Sequence, residues 1–231
     1  MKKGYIFSSQ LSLYGEREII GFGDSHFQVK EISRDIANTT IKKNHYSGKV
    51  YNATYIHLGV FIEGKFLGVL QYGYAMNPAS GGSVVTGTGL DQYLELNRMW
   101  LSDEAKRNSE SMAISYSIKF IRGKYPKVKW VQSFADERCG GFGIVYQACS
   151  FDYFGEHTSD FWELDGVVYH NIQMTVSKGS KRYKGEAVKL QENKQRATKM
   201  TLRQFRYIKF IDQRWKSKCT LKQCEYPKHY L

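Results

Sequence analysis

The chain has 231 residues, 42% hydrophobic and 15% aromatic, which is enough apolar material for a packed core and argues against a disordered protein. It has no run of eighteen apolar residues, so no membrane span is expected, and its basic start at residues 1–7 lacks the apolar stretch of a signal peptide. The formal net charge of +12 favours a polyanionic partner such as nucleic acid.

The first predicted elements are a short helix and a β-hairpin. Residues 33–45 are predicted to form the helix, with Ser33 as its N-cap. The apolar runs at 55–62 and 65–74 are typical of strands. The Glu63-Gly64 pair between them indicates a tight turn that joins the two strands.

The middle of the chain predicts alternating strands and helices. A Gly- and Ser-rich loop at 77–90, expected to be mobile and near the site, leads into a strand at 93–101. A buried helix follows at 109–122. The remaining predicted elements are a strand at 129–135, a short helix at 143–149, and strands near 150–155 and 162–174 joined by a turn at Asp165-Gly166. This order predicts an α/β (α+β) fold with a mixed central β-sheet flanked by helices.

Positive charge is concentrated in the last quarter of the chain. Residues 1–177 hold 18 basic and 18 acidic side chains, whereas residues 178–231 hold 16 basic and 4 acidic ones. We therefore expect a domain at 1–177 and a basic C-terminal extension at 178–231 that packs on it. From about residue 190 the apolar residues recur at a helical spacing, which predicts an amphipathic basic helix. These residues are Leu202, Phe205, Ile208 and Ile211.

The basic extension is predicted to bind a polyanion, such as double-stranded DNA, through its cationic side chains. The candidate contacts are Lys181, Arg182, Lys199, Arg203 and Arg206. A solvated tail that only confers solubility is the alternative interpretation.

The four cysteines do not form a disulfide pattern, and reduced thiols in a cytoplasmic setting are favoured. Cys219, Cys224 and His229 have a spacing that is compatible with part of a zinc site. Three ligands are too few for structural zinc, so ordinary free thiols are the preferred interpretation.

The start of the helix at 109 is a candidate phosphate site. Ser109 and Ser111 lie at the exposed N–H groups of the helix, and Lys106 and Arg107 precede them. A serine cap beside solvated charges explains the same residues equally well. The chain has no Gly-rich phosphate fingerprint, which argues against a Rossmann or P-loop site.

Four segments together resemble the Mom family of phage DNA-modification proteins, and the order of elements resembles the GNAT acyltransferase fold. They are Glu95–Leu101, Arg107–Ser111, Ser133–Asp136 and Gly143–Ala148. The resemblance covers essentially the whole chain. One departure concerns the usual Gln/Arg-x-x-Gly-x-Gly/Ala pyrophosphate loop, which Lys106–Ser111 replaces.

The resemblance implies a GNAT-like sheet and transfer of an acetyl-CoA-derived group to N6 of adenine in phage DNA, within the host cytoplasm. The implied product is a methylcarbamoyl-type adenine that protects the DNA from host restriction enzymes. Acetyl-CoA and iron are the implied cofactors. The alternatives are a GNAT acetyltransferase that acts on a small amine or a protein lysine, and a DNA-binding protein without catalysis.

Four residues are candidates for catalysis. Tyr146 is placed to act as a general acid toward a departing thiolate, as in many GNAT enzymes, or it is a buried aromatic. Asp136 is a candidate base or metal ligand, or a turn cap. Arg98 on the central strand needs a partner, either Asp136, Glu95 or a phosphate. His45 is a candidate base or metal ligand, with a structural role as the alternative.

An adenine N6 in a duplex is hidden from a deep pocket, so base flipping is a further hypothesis. Tyr72, Tyr74 or Trp100 are candidates for stacking on the extruded base. Aromatic residues in strands are more often part of the core, which is the competing interpretation.

Overall fold

The computed structural model describes residues 3–12, 15–177 and 184–227 of the chain. Within them one sheet contains ten strands: β1 (Gly4–Leu11), β2 (Arg17–Gly23), β3 (Phe27–Glu31), β4 (Thr54–Ile62), β5 (Lys65–Gly73), β6 (Tyr93–Leu101), β7 (Trp130–Asp136), β8 (Asp152–Leu164), β9 (Val167–His170) and β10 (Thr198–Phe210). The α-helices are α1 (Arg34–Asn44), α2 (Gly81–Val84), α3 (Ser109–Lys124), α4 (Ile144–Ala148), α5 (Ile172–Thr175) and α6 (Lys184–Glu192).

The sheet has an opening at its centre. Its strand order is β1-β2-β3-β4-β5-β6-β7-β10-β8-β9, and β6 runs parallel to β7 while the other neighbours are antiparallel. The parallel pairing lasts for three residues and ends at Glu95 and Gln132. Just beyond, a bulge in β6 leaves Asn97 without a partner on β5. β6 stays paired with β5 and β7 stays paired with β10, so β6 and β7 separate beyond Glu95 and Gln132.

Helices cover both faces of the sheet. α3 packs against β2 and β3, and with α4 it covers a core that contains Tyr72 and Leu96. α1 lies on the opposite face against β5, where Ala37, Ile41 and Val69 are fully buried. The sheet therefore separates two surfaces that meet at the opening between β6 and β7.

Most local predictions in the first 150 residues are confirmed. Ser33 caps α1 by accepting the N–H of Ile36 at 3.3 Å. The hairpin turn forms at Glu63 and Gly64, whose φ angles of 48° and 78° are the left-handed values that such a turn requires. The predicted strand at 93–101 matches β6 residue for residue.

The predicted basic helix beginning near residue 190 is wrong over Thr198–Phe210, which form β10 between β7 and β8. The three-residue spacing of Leu202, Phe205 and Ile208 imitates a helical stripe. A central strand instead buries both of its faces. Phe205 therefore packs in the main core against Phe142, and Ile208 packs in a second cluster on the other face. This part of the extension thus completes the sheet.

Two further differences concern the strands. The predicted strands near 150–155 and 162–174 are instead β8, one strand of 13 residues, and β9; the predicted turn at Asp165-Gly166 joins them. The N-terminal strands β1, β2 and β3 were not predicted.

The described helices include none that is long and apolar enough to cross a membrane. Cys219 and Cys224, considered above for zinc, form backbone bridges to Val85 and Tyr153 at separate places. His229 lies outside the described residues.

Candidate active site

A cleft of ≈ 950 Å³ opens on the α1 face of the sheet, where β6 and β7 separate. Its floor comes from β6, β7 and β10, and its walls come from the segment after α1, the loop before β6, and strands β8 and β9. The predicted Gly- and Ser-rich loop contributes Asn77, Ser80 and Ser83 to the lining. The volume is in the range of ligand pockets.

Glu95 lies on the floor of the cleft and is a residue that the sequence analysis considered only as a partner for Arg98. Its carboxylate accepts hydrogen bonds from Asn97 Nδ2 at 3.0 Å and from Gln132 Nε2 at 2.9 Å. Burial raises the pKa of Glu95 to about 7, although both hydrogen bonds act in the opposite direction. The carboxyl group therefore changes charge near neutral pH, which suits proton transfer.

The amide oxygens of the same cluster have no hydrogen-bond donor. Asn97 Oδ1 and Gln132 Oε1 are buried and unpartnered among the described residues. The orientation of the Asn97 amide is fixed because its Nδ2 also donates to the carbonyl oxygen of Tyr74 at 3.1 Å. Buried acceptors without donors are uncommon, and here they lie beside an open cleft.

Asp136 ends β7 at the edge of the cleft and is 8% exposed. Both of its carboxylate oxygens accept from Arg138 Nε at 3.0 Å, and Tyr46 donates its hydroxyl to Oδ2 at 3.4 Å. The Arg138 guanidinium also lies 4.8 Å from the ring centre of Phe161 and 5.3 Å from that of Tyr46. Asp136 thus organises one wall of the cleft.

Arg98 lines the cleft but does not form the ion pair with Asp136 or Glu95 considered from the sequence. Its Nε donates to the carbonyl oxygen of Lys49 at 3.1 Å, and its Nη1 donates to that of Asn97 at 2.7 Å. Burial lowers the pKa of Arg98. The guanidinium therefore carries its charge into the cleft while it fixes the segment after α1.

His45 is the C-cap residue of α1, and its ring packs against that of Tyr46 with the two ring centres 4.3 Å apart. Its Nδ1 is 2.8 Å from the hydroxyl oxygen of Ser47. Burial lowers the pKa of His45 to about 4, and the charges of Arg98 and Arg138 act in the same direction. The imidazole is therefore neutral at physiological pH.

The neutral state of His45 predicts a pH-dependent stability difference. Because the imidazole titrates near 6.5 in the unfolded chain and near 4 in the folded one, the unfolded chain binds more protons between these values. The unfolding free energy of the unsubstituted protein should therefore decrease relative to that of His45→Gln as the pH falls from 6.5 to 4. Urea unfolding at several pH values measures this difference, and parallel curves would contradict it.

The iron implied by the resemblance requires ligands such as His45 and Asp136. His45 Nδ1 lies against Ser47, and both carboxylate oxygens of Asp136 are held by Arg138. The described residues include no group of three or more His, Cys, Asp or Glu side chains that can hold a metal ion. A cation here also meets the positive charges of Arg98 and Arg138. As arranged, these residues do not fit an iron site.

Tyr146 lies on the opposite side of the sheet from the cleft, on α4, and is 9% exposed. The neighbouring Ser133 lowers the pKa of the Tyr146 hydroxyl against the larger effect of burial, and Ser133 donates its own hydroxyl to the carbonyl oxygen of Leu96 at 3.3 Å. Leu96 follows the last paired residue of β6. Tyr146 and Ser133 are therefore at the opening between the strands. Ser133 was not singled out from the sequence, because only the fold brings it to Tyr146.

The predicted phosphate site at the start of α3 is preceded by Asn108 in a left-handed conformation, with φ of 69°. Ser111 donates its hydroxyl to the carbonyl oxygen of Asn108 at 3.0 Å, and Ser109 is buried. Lys106 and Arg107 are exposed and have no ion-pair partner among the residues described. The Ser111 hydroxyl therefore bonds the backbone, while the two cations are accessible.

The predicted DNA contacts fall in different places. Lys199 pairs with Asp160 at 2.8 Å, and Arg203 pairs with Glu137 at 2.9 Å. Arg206 lines the cleft, 5.0 Å from the ring centre of Phe134. Lys181 and Arg182 lie outside the described residues.

The aromatic residues proposed for base stacking do not line the cleft. Tyr72 is buried in the core, Trp100 packs against α1, and Tyr74 lies against Tyr55 with ring centres 5.0 Å apart. The aromatic side chains that do line the cleft are Tyr46, Tyr51, Phe134 and Phe161. Which rings face the cleft depends on the side of the sheet to which each strand residue points and on the paths of the loops. The local sequence does not show on which side of the sheet the cleft lies.

Comparison with known proteins identifies a family and a fold. The Mom protein family matches residues 26–228 of this chain. The methylcarbamoylase Mom of Escherichia phage Mu is 48% identical over 222 residues, which cover 96% of this chain and 90% of that protein.

Solved structures of NAA60 from Arabidopsis thaliana resemble the chain in fold. The complex with a bisubstrate analogue has a TM-score of 0.51 at 10% identity and covers 80% of this chain and 97% of that one. The complex with acetyl-CoA has a TM-score of 0.50 at 9% identity and covers 80% of this chain and 99% of that one. The predicted GNAT-like fold is thereby confirmed.

Proposed function

Because this chain belongs to the Mom protein family, we propose that it is a DNA-modifying enzyme of the host cytoplasm that attaches an acetyl-CoA-derived group to N6 of adenine. The product is a methylcarbamoyl-type adenine, which protects phage DNA from host restriction. The observation that carries this proposal is the cleft that meets the opening between β6 and β7, with Glu95 on its floor.

The cleft suits the acceptor base. Its rings supply surfaces on which a flipped base can stack, and Arg98, Arg138 and Arg206 give it a positive potential. Glu95 titrates near neutral pH and is therefore suited to take a proton from the attacking amine. The adenine enters from the α1 face of the sheet.

The opposite face suits the donor. NAA60, which is similar in fold, forms a complex with acetyl-CoA, and here the start of α3 with Lys106 and Arg107 offers a site for the pyrophosphate. When bound, acetyl-CoA would supply the two-carbon unit. Attack of the amine on its thioester releases coenzyme A as the thiol and forms an N6-acetyl group, so the extra nitrogen of a methylcarbamoyl-type product must come from a later step with a nitrogen donor. Tyr146 holds a proton on its hydroxyl at the opening and can give it to a departing thiolate. The base and the donor thus approach the opening from opposite faces.

Nucleoside mass spectrometry of plasmid DNA from cells that express the protein tests this function. We expect a heavier deoxyadenosine that is missing from cells with the vector alone. Unmodified DNA from cells with abundant soluble protein would rule out DNA adenine as the acceptor. A small amine or a protein lysine would then be the acceptor to examine.

DNA binding should depend on cations at the rim of the cleft. Lys42 lines the cleft, is exposed and has no ion-pair partner among the described side chains, so it is free to contact a phosphate. Removal of one phosphate contact reduces the log–log salt slope of the binding constant by about 0.9. We expect this change in Lys42→Gln, measured by fluorescence anisotropy on duplex DNA between low and moderate salt.

Lys127→Gln is the matched control for Lys42→Gln. It removes the same charge from an exposed lysine that pairs with Asp91 and does not line the cleft. Its salt slope should equal that of the unsubstituted protein. Equal slopes for the two variants would show that the rim of the cleft does not contact phosphate.

A further inference from the structure

We infer that Glu95, Asn97 and Gln132 form an amine cradle, a set of hydrogen-bond acceptors that selects the exocyclic amino group of the target base. This inference rests on the proposed function and assigns recognition of the amine to residues on the floor of the cleft. The cradle is defined by the Glu95 carboxylate, Asn97 Oδ1 and Gln132 Oε1.

The hydrogen bonds inside the cradle leave mostly acceptors for a ligand, because the second N–H of Gln132 is the one amide donor that they do not use. Both amide NH2 groups donate to Glu95, and that of Asn97 also donates to a backbone carbonyl. If the nitrogen and oxygen of either amide were exchanged, the amide oxygen would face the Glu95 carboxylate, and two acceptors would lie against each other. The hydrogen bonds to Glu95 therefore determine the orientation of both amides. The amide oxygens are left without donors, and Gln132 as a whole is 3% exposed.

A site with three acceptor groups and one spare amide N–H favours a ligand group that carries several N–H bonds. The N6 amino group of adenine has two N–H donors and no carbonyl oxygen at that position. A base with a carbonyl in the same place brings another acceptor against the cradle, so the cradle acceptors that face this carbonyl stay unpaired. Sites built to hydrogen-bond one group discriminate strongly against an analogue that cannot make those bonds.

The position of the cradle agrees with the proposed chemistry. Asn97 is the bulged residue of β6, and Glu95 and Gln132 form the last pair before β6 and β7 separate. An amine held there lies at the opening, with Tyr146 and Ser133 on the other side of the sheet. The pKa of Glu95 near 7 means that the acceptor capacity of the carboxylate increases as the pH rises through neutrality.

The test compares single-stranded thymidine oligonucleotides that contain one central adenine or one central hypoxanthine, in which a carbonyl replaces the amine. Fluorescence anisotropy at pH 8 should show that the unsubstituted protein binds the adenine oligonucleotide about tenfold or more tightly than the other. Glu95→Gln introduces an amide donor, so this preference should disappear or reverse. Gln132→Met removes one acceptor at similar volume and should reduce the preference.

The control is Glu186→Gln, the same substitution at a carboxylate that lines the cleft but pairs with Lys49 and Gln173 outside the cradle. It should keep the preference for adenine. Equal binding of the two oligonucleotides by the unsubstituted protein overturns the cradle, and so does a retained preference in both cradle variants. If cellular DNA contains modified deoxyadenosine and one of these two binding results is also obtained, the proposed function is supported and the cradle is wrong.

Discussion

Replacement of Tyr146 by Phe is expected to lower the rate of DNA modification by about 10²- to 10⁴-fold, the usual contribution of a general acid. Burial raises the pKa of the Tyr146 hydroxyl to about 12, so it keeps its proton at physiological pH. The hydroxyl lies near Ser133 at the point where β6 and β7 separate, on the face proposed for the donor. Phe removes the transferable proton and keeps the packing of the ring against Tyr207 and Phe151.

The rate is measured as modified deoxyadenosine per unit of folded protein. Tyr153→Phe is the control, because Tyr153 is also buried against Tyr207 and burial raises its pKa to about 12, but it lies on β8 away from the opening. We expect less than a twofold change in the control. A Tyr146→Phe protein with a similarly small change would show that Tyr146 is a core aromatic residue, the alternative that the sequence left open.

Elements governed by neighbouring residues could be predicted from the sequence. The cap at Ser33 and the turn at Glu63 and Gly64 each depend on a few consecutive side chains and on the φ angles that these residues tolerate. β6 was also predicted with its correct bounds. In these cases the local preference and the tertiary fold agree, so a single sequence is sufficient.

The position of β10 depends on partners that are distant in the sequence. Its basic residues and its three-residue apolar spacing favoured a helix, but pairing with β7 and β8 decides its conformation. The same limit applies to the cradle. Glu95 and Gln132 are 37 residues apart in the chain, and the hydrogen bond between them exists because β6 and β7 run side by side.

The Asp136–Arg138 pair is expected to have the largest effect on stability. Asp136→Ala should destabilise the protein by about 1–3 kcal/mol, because it leaves a partly buried guanidinium, 24% exposed, without its carboxylate. The charge of Arg138 also disfavours the charged form of the nearby Arg98, so loss of Asp136 leaves two cations facing each other. Tyr46 loses its acceptor in the same variant. Urea unfolding measures the difference.

Asp212→Ala provides a control with the same local geometry. Asp212 and Arg214 form an ion pair with the same two-residue spacing, and the backbone N–H of the arginine likewise donates to the aspartate. Arg214 is 87% exposed, so water can solvate it when the carboxylate is removed. The loss of stability should therefore be clearly smaller than in Asp136→Ala. Similar losses would show that the effect comes from the local turn and not from burial.

A double variant separates the structural role of Asp136 from a role in chemistry. Asp136→Leu combined with Arg138→Met removes both charges, and such replacements of buried pairs are often neutral or stabilising. We therefore expect the double variant to recover most of the stability lost in Asp136→Ala. If its DNA-modifying activity also recovers, Asp136 acts only by holding the wall of the cleft. If the folded double variant stays inactive, one or both charges are needed by the reaction or by the base, as predicted for Asp136.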